Sequence, residues 1–197
     1  MTDTPPALDA EHTALLVMDY QPAILTQMPD HETLLARMSD AINTARQHGA
    51  HVAYVRVAFA DEDYQNIPAA NKTFTPIVEN RLMHNEAPET AIHAHVAPEP
   101  GDIIVRKTRV GAFSTTDLDR QLKEHGVTTI ILAGVSTSGV VLSTVRDAAD
   151  RDYHVYVLTD ASADPDPHVH DVLTDKVLPM QAHLITVAEL DGLLADR

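Results

Sequence analysis

Thr129-Ile130-Ile131-Leu132-Ala133-Gly134-Val135-Ser136-Thr137-Ser138-Gly139-Val140-Val141 reads as a strand, a tight turn and a helix in immediate succession. The apolar run predicts a strand buried on both faces, and the residues from about Ser138 to Arg151 carry a helical pattern. A turn of Gly, Ser and Thr between the two exposes backbone N–H groups at a helix N-terminus, which suits an anion or a developing oxyanion. Many enzymes carry a nucleophile on such a turn. Here the first helical turn offers only Gly139 and Val140.

The same alternation extends in both directions. Thr13 to Met18 is a second continuous apolar run, ending at Asp19. Leu34, Leu35, Met38, Ile42 and Ala45 recur at helical spacing, and Gly49 stops that helix. His51 to Val57, Asp102 to Val105, Tyr153 to Leu158 and about His183 to Thr186 read as further strands. Thr116 to His125, about His168 to Val177 and Val187 to Leu194 read as helices, Thr73 to Met83 as a short one, and residues 60–72 as a polar loop. Strands alternating with helices predict one α/β domain, a three-layer sandwich with a mostly parallel, six-stranded, Rossmann-like sheet and helices on both faces. It spans 1–197, with a core of about 13–190. Pro5-Pro6 reads as a loose terminus and Pro98 to Pro100 as a turn.

Composition removes several classes of function. The absence of Cys excludes disulfides, thiolate metal sites and cysteine catalysis. A formal charge of −15 argues against nucleic acid, whose phosphates call for clustered Lys and Arg. No run approaches the roughly 20 apolar residues of a membrane span. Met1 to Pro6 lacks the features of a signal peptide, so a cytoplasmic location is expected, with no membrane partner.

Ligands of open parallel sheets bind beyond the carboxyl ends of the strands. That rule groups Asp19, Lys107 and the Gly134 turn, each just past a buried strand. An Asp and a Lys converging at a partly buried site perturb each other's pKa values. The order D-x-Q at Asp19 to Gln21, K-x-x-x-x-x-F-x-x-T-x-L from Lys107, and G-V-x-T-x-x-x-V-x-x-T-x-R-D-A from Gly134 resembles the isochorismatase-like cysteine hydrolase superfamily. The superfamily includes isochorismatase, nicotinamidase and N-carbamoylsarcosine amidohydrolase, and the likeness runs from Thr13 to about Leu190.

The resemblance implies a site of Asp19 and Lys107, with Val140 at the position of the nucleophilic Cys. It also implies a cis bond at Val135–Ser136, an oxyanion hole from the amides of Ser136 and Val140, and a homo-oligomer. Gln21, Phe113, Ser136 and Thr137 are candidates for binding substrate or oxyanion. The hydroxyls of Ser136, Thr137 and Ser138 fit N-capping better than nucleophilic attack, because a hydroxyl needs an adjacent base. The superfamily's nicotinamidases carry an Asp-x-His metal element after the second strand, and Val57 to Tyr64 has none. His93 with His95, and His168 with His170, have i, i+2 spacing, which points to different faces of a helix. No metal and no cofactor are expected.

The resulting expectation is a hydrolase of a small molecule that works without covalent catalysis, on a vinyl ether or a C–N or ester bond. Asp19 is its general acid or base and Lys107 its electrostatic partner. A non-catalytic member binding a small molecule or a partner is the alternative, and a structural subunit a third reading. As a general acid, Asp19 must hold a proton near neutral pH, so desolvation has to outweigh the pull of Lys107.

Overall fold

The computed structural model describes residues 8–195, so Pro5-Pro6 lies outside the described residues. Six strands form one sheet: β1 (Thr13–Met18), β2 (His51–Val57), β3 (Ile103–Lys107), β4 (Thr129–Gly134), β5 (His154–Leu158) and β6 (His183–Ile185). Their order is β3-β2-β1-β4-β5-β6 and every pairing is parallel. Chain direction across the sheet reverses between β1 and β4, so the crevice beyond their carboxyl ends is the expected ligand site.

Period-two alternation splits each strand between two cores. Leu15 and Val17 face one side with Tyr54, Ile131 and Tyr156. Ala14, Leu16 and Met18 face the other with Val55, Val105, Ile130 and Leu132. Helix α2 (His31–Gln47) lays Leu34, Leu35, Met38, Ala41, Ile42 and Ala45 on the first face beside the C-terminal helix Val187–Leu194. Each large apolar side chain buried this way contributes about 1.5–3 kcal/mol. Gly49 ends α2 with a φ of 79°, a left-handed conformation in which a side chain is strained. On the second face lie α5 (Leu118–Glu124) and α6 (Leu142–Ala149), through Leu118, Leu122, Val145 and Ala148.

Two elements differ from the sequence-based expectation. Residues 60–72 are not wholly a loop: Asp61–Gln65 is a short helix, followed by another at Thr75–Glu79. Asp63 accepts the Ala60 N–H at 2.8 Å, and Tyr64 is buried with its ring 5.7 Å from that of Phe59. One turn held by a single aromatic residue has no periodicity to read. The helix expected from about Ser138 begins instead as a wide turn, in which Val141 N–H reaches the Ser136 carbonyl at 3.3 Å, and becomes regular at Leu142.

Candidate active site

Asp19 follows the last residue of β1 with a φ of 61°. The left-handed conformation costs a non-glycine residue about 1–2 kcal/mol, and Asp tolerates it better than most. Flanking hydrogen bonds hold it there. Asp19 N–H donates to the Val55 carbonyl at 2.8 Å, and the Gln21 side chain acts as a false strand. Its Oε1 accepts the Val57 N–H at 2.9 Å, while Nε2 donates to the carbonyls of Val57 at 2.9 Å and Thr90 at 2.6 Å. Gln21 therefore positions the Asp19 turn and does not line the cavity described below.

Lys107 ends β3, opposite Val57 and two strands from β1. Neighbouring strands lie about 4.8 Å apart, so its stem must cross the end of β2 to reach Asp19. It does so: Nζ lies 2.8 Å from Asp19 Oδ2, with the two side chains only 2% and 6% exposed. The ammonium also donates to the carbonyls of Val110 at 2.7 Å and Arg109 at 3.2 Å. Asp19 Oδ1 is buried and has no hydrogen-bond partner among the described residues. Burial pushes the Asp19 carboxyl above the usual carboxylate range, and the opposing charge and hydrogen bond of Lys107 do not cancel that effect.

The turn after β4 completes the site. The Val135–Ser136 peptide is cis. The Ser136 N–H makes no backbone hydrogen bond among the described residues, and Ser136 lines the cavity described below. Thr137 is buried behind the turn, with its N–H on the Ala163 carbonyl at 2.8 Å and its hydroxyl 2.8 Å from His170 Nδ1. The expected hydroxyl caps are not formed: the side chain of Ser136 caps nothing, and Asp164 Oδ2 accepts the Ser138 N–H at 2.8 Å instead. A carboxylate arriving from beyond β5 competes well for that donor, since a charged acceptor makes the stronger hydrogen bond.

Asp19, Lys107, Ser136 and Val140 line one cavity of about 250 Å³, with Phe74 and Val110 among its apolar walls. Val140 stands where a nucleophile is expected, and its side chain packs toward the end of β4. A Cβ on Gly134 would meet Val140 Cγ1 at 3.0 Å, and both Met18 Cβ and the Met18 carbonyl oxygen at 3.1 Å. Gly134→Ala should therefore destabilise the fold by about 1–3 kcal/mol through overpacking. Urea denaturation measures the loss, and unchanged stability would contradict the close packing of Val140 over Gly134.

Phe113 is elsewhere: its ring stacks 6.1 Å from Tyr153 under the Arg151 guanidinium, within the second core. The His93 and His95 rings stack 5.3 Å apart, near the N-terminal half of α2. His170 and Asp164 brace the turn, and the sequence-based expectation includes neither in the site. The available signal was their place beyond β5, around Asp164-Pro165-Asp166-Pro167, at the same end of the sheet as Asp19.

Comparison with known proteins agrees with this geometry. The isochorismatase domain model matches residues 13–189. A ureidoacrylate amidohydrolase from Methylorubrum extorquens is 30% identical, over 83% of this chain and 74% of its own. The solved structure of an isochorismatase family protein from Burkholderia thailandensis superposes with a TM-score of 0.81 at 26% identity, covering 97% of this chain and 99% of that one. A cysteine hydrolase from Pseudomonas syringae pv. phaseolicola shares the fold, with a TM-score of 0.87 at 22% identity and 98% of each chain covered. With the domain matched almost end to end and Asp19, Lys107 and the Gly134 turn gathered at the carboxyl edge of the sheet, the chain belongs to the isochorismatase family, a family of small-molecule hydrolases.

Proposed function

We propose that the protein hydrolyses a small molecule by general acid–base catalysis at Asp19, with water as the direct nucleophile and no covalent intermediate. The carrying observation is the buried Asp19 carboxyl, which lines the cavity with one oxygen on Lys107 and the other unpartnered. Asp19 gives its proton to the alkene carbon of a vinyl ether, leaving an oxocarbenium ion, or to the leaving nitrogen or oxygen of a C–N or ester bond. Water adds to the electron-poor carbon, and the proton it sheds returns to Asp19, so one water is consumed and the enzyme is regenerated. Lys107 balances the carboxylate formed midway. The Ser136 N–H supports oxygen charge without help from any side chain at position 140.

The pH–rate profile tests this reading. A general acid must be protonated, so kcat/KM should be greatest on the acid side and fall as pH rises through the elevated pKa of Asp19. Ser138→Ala should leave the profile unchanged, because that side chain is exposed on the turn. A profile that rises with pH, or turnover abolished by Ser136→Ala but not by Asp19→Asn, would sink the acid mechanism in favour of a serine nucleophile. The apolar Val140 favours a second reading, a binding protein, which takes over if a ligand binds in an Asp19-dependent way and is never turned over.

A further inference from the structure

We infer that the cavity takes a small uncharged ligand with a compact apolar body and discriminates against carboxylates. The inference rests on the hydrolytic reading for turnover, but not for binding. The walls carry Ile24, Met28, Val57, Phe74, Val110 and Val140. Among the described residues that line the cavity, Lys107 is the sole cation, and a ligand cannot use it. An ammonium has three N–H donors. Those of Lys107 face three protein oxygens: Asp19 Oδ2 at 2.8 Å, Val110 O at 2.7 Å and Arg109 O at 3.2 Å. With 2% of its side chain exposed and its donors taken up by protein oxygens, the ammonium lines the cavity without offering a ligand a free hydrogen bond.

An entering carboxylate would give up its hydration without finding a cation, which is the unfavourable case for a buried charge. It would also approach the free Oδ1 of Asp19 from within a chain of net charge −15. An uncharged amide or ether meets the opposite situation. Its N–H or oxygen can pair with Asp19 Oδ1 according to where the proton lies, its carbonyl can take the Ser136 N–H, and its hydrocarbon fills the apolar walls. Gln27 and Thr73, exposed at the rim, add neutral polar contacts. A volume of about 250 Å³ suits a molecule below drug size.

Matched pairs test the assignment on the full-length protein: isovaleramide against isovalerate, and cyclohexanecarboxamide against cyclohexanecarboxylate, with affinities from calorimetry or ligand-observed NMR. Each amide should bind at least about tenfold more tightly than its acid. Gln27→Arg, which places a free cation on the rim, should move the preference toward the acids by about tenfold. Equal or tighter binding of the acids by the wild type overturns the inference, as does failure of both amides to bind at millimolar concentration. Amide binding without hydrolysis of any amide, ester or vinyl ether leaves the ligand class standing and removes the hydrolytic reading. Turnover confined to carboxylate-bearing compounds does the reverse.

Discussion

Asp19→Asn lowers turnover by about 10²–10⁴-fold, the usual contribution of a positioned proton transfer. The substitution keeps the shape of the side chain and removes its titration, so the loss falls on chemistry if the fold survives. That condition needs its own measurement, because Lys107 is left buried with only neutral oxygens around it. A thermal melt supplies it. The double variant Asp19→Asn/Lys107→Met, which removes the stranded charge, should regain stability without regaining activity. Full activity in folded Asp19→Asn would remove Asp19 from the mechanism.

Lys107→Met carries the largest expected cost in stability. Removing one partner of a buried ion pair typically costs about 3–5 kcal/mol, because the other charge is left uncompensated. For a chain of this size, each kcal/mol lowers Tm by roughly 2–4 °C, so a fall of roughly 6–20 °C is expected. The loss should depend on pH in a definite direction. Burial already raises the Asp19 pKa and Lys107 opposes that rise, so without Lys107 the folded-state pKa climbs further. A raised carboxyl pKa contributes stability while the group is protonated and loses it as pH rises through the folded value. The deficit of Lys107→Met relative to wild type should therefore grow, in urea titrations, as pH rises through the raised Asp19 pKa of the folded variant. A deficit independent of pH would mean that the two groups are not coupled. Lys107→Met/Asp19→Leu should recover part of the loss, since an apolar pair can replace a buried ion pair at little cost.

The sequence displays the parallel sheet because its central strands are buried on both faces. Thr13 to Met18 and Thr129 to Ala133 have no polar side to interrupt them apart from their opening threonines, and they match β1 and most of β4. The helix at Val187–Leu194 is equally visible, because Glu189 stands three residues after Thr186 and its carboxylate accepts the Thr186 N–H at 2.8 Å. The candidate site is legible only in part. Asp19 and Lys107 are marked by their place after apolar runs, but nothing in the spacing says that Lys107 reaches across β2. Gln21 and Phe113 belong to the same motifs, yet one is spent on backbone amides and the other on Tyr153 and Arg151. A motif shows that a residue matters to the local arrangement without showing which way its side chain points. The short helix at Asp61–Gln65 and the bracing by His170 and Asp164 depend on tertiary contacts that leave no periodic trace.

During folding, Asp19 and Lys107 can meet only once β1, β2 and β3 lie side by side. β3 is an edge strand, separated from β1 by β2, and Lys107 is 88 positions further along the chain than Asp19. Until β3 docks, both charges remain hydrated in the partly assembled chain. Their desolvation and pairing therefore require β3 to be docked on β2. The ion pair at the site thus also ties the edge strand β3 to the centre of the sheet, across β2.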